Sequence, residues 1–180
     1  MSRRSAPSPA RLLFSVIYRE EGEFEKALRR IAERMGEVAC ISGPFLFDRT
    51  EYYRREMGTP LVRRFVVTND PVSRDALVPV KLLAETIEKE LSVGGKRTVN
   101  IDPGLLADEN VVLATGKNYS HRIYLRDGVF ADLTLVFEKG EYRPLPWTYP
   151  DYASPAIRAF LGEVRRENRE AKKRPTKGDS

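Results

Sequence analysis

Between Val99 and Phe137 the chain carries four strand signals in close succession, at residues 99–101, 111–115, 120–125 and 129–137, with a short fifth around Tyr142. Strands this closely spaced suit a mostly antiparallel sheet, though the connections are too irregular to give its topology. The same stretch holds polar side chains that are costly to order near a core: Asn100 and Asp102, Lys117, His121 and Arg122, and Asp132. Each needs a partner when buried, and a sheet with no task beyond folding would hold few of them. The pattern predicts a site without naming a reaction.

The remaining segments fill in the fold. Residues 12–18 form a continuous apolar run of strand length. Glu20, Glu21 and Glu23 then suit a helix start, Phe24, Leu28, Ile31 and Met35 recur at helical spacing, and Gly36 stands where a C-terminal cap belongs. Residues 38–41, 45–47 and 61–68 read as strands, the last broken by Asn69-Asp70-Pro71. Pro79 belongs to the first turn of a helix running to about Leu91, with Leu83, Ile87 and Leu91 as its stripe, and Gly94-Gly95 stops it. Ser154-Pro155 opens a last helix in which Ile157, Phe160, Leu161 and Val164 face inward. Its apolar stripe fades after Arg165. The order predicts an α+β class: one domain with a mostly antiparallel sheet and helices packed on one face. The expected boundaries are a basic tail over residues 1–10, the domain over 11–170 and a disordered basic tail over 171–180.

A chain of 180 residues can build such a core without disulfides, and Cys40 is its only cysteine, which excludes cysteine-rich metal sites within one chain and suits a reducing cytoplasm. No apolar run approaches the roughly eighteen residues of a membrane span. The N-terminal segment lacks a signal-peptide pattern, so a cytoplasmic protein is expected, with no membrane partner. The absence of Gln and the richness in Arg and Glu lean toward a thermophilic source. Of the net charge of +5, residues 1–11 carry +3 and residues 165–180 carry +4, which leaves −2 between them. The basicity belongs to the tails, as solvated ends or as a tether for nucleic acid.

The hairpin around Arg126-Asp127-Gly128 can be argued in register. A three-residue loop with a bulge at Gly128 pairs Leu125 with Val129 and Arg122 with Asp132. It gathers His121, Ile123, Leu125, Val129, Ala131, Leu133 and Leu135 on an apolar face, with Arg122, Tyr124, Arg126, Asp132 and Thr134 on the other. A two-residue Asp-Gly turn mixes both faces, so the longer loop is expected. Arg122 and Asp132 then form either a structural ion pair or, under polar loops, an anchor for a carboxylate or phosphate.

Other clusters divide in the same way. Asn100-Ile101-Asp102-Pro103-Gly104 reads as a strand end that caps its own turn, or as a strand end presenting Asp102 to a pocket. Residues 48–58 form a short helix with Asp48 as N-cap and Gly58 as its end, suited to a lid or a dimer surface. In residues 145–152 two prolines stiffen a segment whose rings Trp147, Tyr149 and Tyr152 either pack in the core or line a pocket. A P-loop is missing, since Glu90 stands where its first glycine belongs. No dinucleotide fingerprint follows a strand, and there is no nucleophile elbow.

The motifs Phe47-Asp48-x-Thr50-x-Tyr52-Tyr53-x-x-Glu56-Met57-Gly58, Asn100-Ile101-Asp102-Pro103-Gly104, His121-Arg122-Ile123-Tyr124-Leu125 and Leu145-Pro146-Trp147-Thr148-Tyr149-Pro150-Asp151-Tyr152 resemble an uncharacterised prokaryotic family, domain of unknown function 4416, over roughly residues 10–170. The resemblance implies a glutamate more often than an aspartate at the position of Asp132, and no established activity, cofactor or partner. Some members carry a GTP-binding label, which the missing P-loop does not support in this chain.

The residues themselves point to a pocket for a small anionic ligand, phosphorylated or nucleotide-like, with enzyme activity left open. Arg122 and Lys117 would hold the anion, with Asn100, Tyr124 and Asp151 beside them. Asp102 and Asp132 would serve as acid/base groups or as ligands for magnesium or manganese, His121 would transfer protons, and Trp147 and Tyr149 would wall the site. Two alternatives stand: an RNA-associated module using the basic C-terminal helix, and a homo-oligomeric structural protein.

Overall fold

The structure, a computed structural model, describes residues 3–47 and 51–173. Its centre is β1 (Ala10–Tyr18), the apolar run of the sequence, which is buried on both faces. Leu12, Phe14, Val16 and Tyr18 face one layer, and Leu13 and Ile17 face the other. Around it lie β2 (Val38–Ile41), β3 (Phe45–Phe47), β4 (Leu61–Val72), β5 (Val99–Leu106), β6 (Asn110–Thr115), β7 (Arg122–Arg126), β8 (Val129–Glu138) and β9 (Glu141–Pro144). The strand order is β2-β4-β1-β5-β6-β8-β7, with β3 beside β4 and β9 beside β8, and every ladder is antiparallel. The chain is a single α+β domain.

Helices cover both faces of this sheet, where the sequence placed them on one. The first, α1 (Glu21–Met35), buries Phe24, Ala27, Ile31 and Met35 and stops at Gly36, whose φ of 116° disfavours a side chain. It shares the even-numbered face of β1 with α3 (Leu77–Leu91). The opposite face receives three shorter or later helices, α2 (Glu51–Met57), α4 (Pro150–Ala153) and α5 (Pro155–Lys173). Ile157, Leu161 and Val164 of α5 pack against Leu13, Phe65 and Val111. Its start is as expected, with the Ile157 N–H donating to the Ser154 hydroxyl and proline in the first turn. The fading stripe does not end its packing, because the Arg165 guanidinium lies 3.3 Å from the Phe137 ring centroid and Asn168 is buried. Residues 171–173 belong to α5; the rest of the expected tail, like the Asp48 cap of α2, lies outside the described residues.

Two prolines expected to end strands instead mark where a strand loses a neighbour. β4 continues through Asn69-Asp70-Pro71 to Val72, pairing Pro71 with Arg11, because β2 reaches only to Thr68 and beyond it no ladder on that side needs an N–H. Likewise β5 runs through Asp102-Pro103-Gly104 to Leu106 and pairs with β1 along its whole length. With β6 it pairs only at Gly104, Leu105 and Leu106. Pro103 has no donor to extend that ladder. Gly104 sits where a Cβ would come within 2.7 Å of a Leu113 methyl and 2.8 Å of the Val112 carbonyl oxygen. Tight contact at Gly104 and no ladder beyond it turn the sheet into a fork. One arm carries Asn100 and Asp102 with β1, and the other carries residues 114–117 with β8 and β7.

The hairpin keeps the expected Arg122–Asp132 register by a different route. Asp127 and Gly128 both have positive φ, 54° and 75°, so a two-residue turn pairs Arg126 with Val129, and the extra residue is taken up as a bulge at Leu125. The faces are inverted as well: Ile123 is 70% exposed, and Arg122, Asp132 and Thr134 point inward. A second bulge, at Thr134, reverses the alternation of β8 and returns Leu135 to the core.

Gly104→Ala should lower stability by about 1–3 kcal/mol, since the added methyl meets backbone as well as side chain. Gly162→Ala, a helical site with open space, should be neutral or slightly stabilising. Thermal denaturation of both variants checks this, and equal melting temperatures would contradict the close approach at the fork.

Candidate functional site

A cavity of about 400 Å³ occupies the fork. Its first arm contributes Asn100 and Asp102, and the second contributes Lys117, Arg122 and Asp132. Tyr149 and Asp151 come in from the segment before α5. That segment is pinned to the β8 bulge: the Trp147 indole N–H donates to the Leu133 carbonyl at 2.8 Å, and the Thr148 hydroxyl donates to the Thr134 carbonyl. Seven of the ten side chains singled out in the sequence therefore converge. Three do not. Tyr124 projects outward against Phe130, and His121 and Trp147 stack on each other at 5.1 Å outside the cavity lining. His121 still reaches the site indirectly, with its Nε2 3.5 Å from Asp132 Oδ2.

Sequence reasoning missed Arg63, Lys81 and Arg97, which also line the cavity. Arg63 stands on β4 between Leu61 and Phe65, at an alternating position otherwise apolar, and that break in pattern was its signal. Lys81 and Glu88 interrupt the buried stripe of α3 at heptad distance, alongside Leu77 and Ala84. Although α3 lies across the sheet, the parting of β5 and β6 lets Lys81 line the cavity. Arg97 lies in a loop with no periodic signal.

Three arginines are held by carboxylates. Arg122, only 3% exposed, donates from Nε to Asp132 at 2.8 Å, from Nη1 to the Lys117 carbonyl at 3.1 Å and from Nη2 to the Tyr149 hydroxyl at 3.2 Å. Arg63 donates to Asp151 at 2.6 Å and lies over the Phe47 ring at 4.4 Å. Arg97 is bidentate on Glu56 of α2, at 3.1 and 2.6 Å on one oxygen and 3.0 Å on the other. Arg97 also fixes the next residue in line. Its Nη1 donates to Asn100 Oδ1 at 3.1 Å, which turns the Asn100 amide so that Nδ2 donates to Asp102 Oδ2 at 2.8 Å. Asp102 Oδ1 is then left facing Lys81 Nζ, 3.9 Å away.

Behind this row Glu88 is buried and accepts the Ile101 N–H, with Arg97 Nη1 at 3.8 Å. Burial pushes its pKa up to about 7, against the pull of that hydrogen bond and of Lys81 and Arg97. Burial also raises the Tyr53 and Tyr152 phenols above their ordinary value, so both rings present hydroxyls and not phenolates to the cavity. Among the described residues no three His, Cys, Asp or Glu side chains lie close enough to hold a metal ion, so Asp102 and Asp132 supply no ready-made cage for magnesium or manganese.

A family model matches residues 8–167, which contain every residue of this site. The chain belongs to the family described as Domain of unknown function (DUF4416). No curated protein and no solved structure matches it. No helix among the described residues is long and apolar enough to cross a membrane.

Glu88 generates a pH signature. Its ordinary value is 4.5 and its folded value about 7, so across this window the folded chain holds a proton that the unfolded chain releases. The stability it contributes is complete below pH 4.5 and is lost as the pH rises through 7. Glu88→Gln, neutral at every pH, should flatten the fall of melting temperature between about pH 5 and 8. A variant that keeps the wild-type slope would refute the assignment.

Proposed function

We propose that the DUF4416 domain binds a small anionic molecule, phosphorylated in the simplest case, in the fork of its sheet. The observation that carries this reading is the charge of one cavity: Arg63, Lys81, Arg97, Lys117 and Arg122 line it, against Asp102, Asp132 and Asp151. Glu56 and Glu88 face Arg97 and Glu85 faces Lys81 from behind the lining, so the surplus of cations belongs to the side chains that line the cavity itself. Positive charge held in a partly desolvated hollow attracts anions more strongly than the same charge in water. The volume lies in the range of small-ligand pockets.

The roles follow from how each group is held. Asp132 is committed to Arg122 and serves as its anchor, while His121, clamped between Tyr119 and Trp147, positions Asp132 from outside. Asp102 is oriented by Asn100 and has an oxygen turned to the cavity, which suits it to accept a proton or a hydrogen bond from a bound molecule. Any catalysis would run through Asp102. We place the protein in a reducing cytoplasm, in keeping with its single cysteine.

Calorimetric titration with matched anionic and neutral compounds, ribose 5-phosphate against ribose and AMP against adenosine, tests the reading. The anionic member of each pair should bind and the neutral one should not, with affinity falling as salt is raised. Lys117→Glu, at the exposed end of the cavity, should weaken anion binding by about tenfold. Equal binding of charged and neutral members, or no anion binding at all, would overturn it.

A further inference from the structure

Resting on that anionic-ligand reading, we propose that the site takes a phosphorylated sugar or polyol, with its phosphate on Lys81 and a neighbouring hydroxyl on Asp102. Arg122, the cation most visible in the sequence, is a poor anchor, because its Nε and both Nη groups already donate to protein acceptors. Arg97 is likewise spent on Glu56 and Asn100. Lys81 differs. Its side chain is 10% exposed, yet the ammonium makes no hydrogen bond, and its closest carboxylate oxygens, on Glu85 and Asp102, stand at 3.6 and 3.9 Å.

Around it are further donors with capacity to spare. Arg63 Nε is buried without a partner, and the buried Tyr152 and Ser15 hydroxyls face only each other. Tyr152 and Arg63 line the cavity, and Ser15 is the cross-strand partner of Asp102 on the same face of the sheet. A buried region with donors to spare and one cation held only by two long ion pairs is complementary to a group rich in acceptors. A phosphate monoester, with three terminal oxygens and up to two negative charges, meets that need.

The carboxylate beside it sets the rest of the ligand. Asp102 Oδ2 is occupied by Asn100, but Oδ1 faces the cavity and would repel an incoming phosphate unless it also received a hydrogen bond. A hydroxyl close to the phosphate on the same molecule supplies one. Three of the four rings that line the cavity offer little face to a base, because Arg63 covers Phe47, Arg97 lies 5.7 Å from the Tyr53 ring centroid and Tyr152 is buried edge-on to Phe65, while the fourth, the half-exposed Tyr149, is tied through its hydroxyl to Arg122. These arrangements favour a polyhydroxylated ligand over a nucleotide.

Titration of the full chain with ribose 5-phosphate, inorganic phosphate, glycerate and AMP tests the assignment in wild type, Lys81→Met, Tyr152→Phe and Asp102→Asn. Lys81→Met removes a charge that makes no hydrogen bond and only two long ion pairs, so it should still fold, with a melting temperature close to wild type, and it should weaken ribose 5-phosphate by about tenfold or more. Tyr152→Phe, which removes a single oxygen, should weaken it by about threefold to tenfold. Asp102→Asn should weaken ribose 5-phosphate and leave inorganic phosphate as tight as before or tighter. Ribose 5-phosphate bound equally by wild type and Lys81→Met would overturn this assignment alone, as would tighter binding of AMP or glycerate. Failure of every anion to bind wild type would remove the anionic-ligand reading with it.

Discussion

The separation of β5 from β6 is the constraint on which the rest of the molecule turns. An antiparallel pair normally continues until a strand ends, because each further residue adds backbone hydrogen bonds. Here both strands go on after their pairing has stopped at Gly104. Pro103 withholds a donor at the first step beyond the contact, and Gly104 allows an approach to β6 too close for any side chain. The backbone of Asn100 and Asp102 stays tied to β1, and that of residues 114 and 115 stays tied to β8, so the hollow between them is walled by ordinary sheet. A pocket framed by ladders holds its side chains more rigidly than one framed by loops.

That geometry also explains how so many charges sit near a core. Arg63, Arg97 and Arg122 each meet a carboxylate from a different segment, so the pairs Arg63–Asp151, Arg97–Glu56 and Arg122–Asp132 stitch β4 to α4, the loop before β5 to α2, and β7 to β8. A buried ion pair such as Arg122–Asp132 contributes little net stability compared with apolar packing, yet losing one partner leaves a stranded charge at a cost of about 3–5 kcal/mol, and the cost is smaller for Arg97–Glu56 at the rim. These pairs specify arrangement more than they stabilise it. The fork could not be held in one geometry by apolar contacts alone, because its floor has few of them: the clusters around Tyr142 and Tyr152 on one side, and around Met57 and Phe47 on the other, flank the cavity without filling it.

What the sequence could reveal follows the same division. Periodicity exposes an element buried on one or two faces, and so β1, α1 and the start of α5 are legible to within a residue or two. It exposes polar residues placed among strand formers, which is why Asp102, Arg122 and Asp132 stand out before any coordinates. It does not show that a strand has lost a neighbour, so Pro71 and Pro103 read as strand ends when each marks the point where a ladder on one side is gone. Nor does it reveal which face of a hairpin is wet. Ile123 and Leu125 suggest an inner face, but the inner positions belong to Arg122 and Asp132, because the layer above β7 is a polar cavity and not a core. The least visible residue was Lys81, whose long stem passes for one more charged position on a helix surface until the fork in the sheet gives it somewhere to go.

Local rules broken without compensation are the best guide to where a fold has been shaped for something other than stability. Most polar groups here obey the rules: Tyr142 donates to the Ala107 carbonyl, Thr134 to Asp132, and Trp147 and Thr148 to the carbonyls freed by the β8 bulge. At the fork the exceptions are Arg63 Nε, which has no partner, the Ser15 and Tyr152 hydroxyls, which have only each other, and the Lys81 ammonium, held by two long ion pairs, all beside one cavity and one oriented carboxylate. Each buried donor left without an acceptor costs about 1–3 kcal/mol, a large share of the margin that keeps a domain of this size folded. Apolar replacements would remove that cost, as they have at neighbouring Leu13 and Phe65 on the same face. On the proposed reading, an acceptor-rich ligand would supply the further hydrogen bonds that these groups can make.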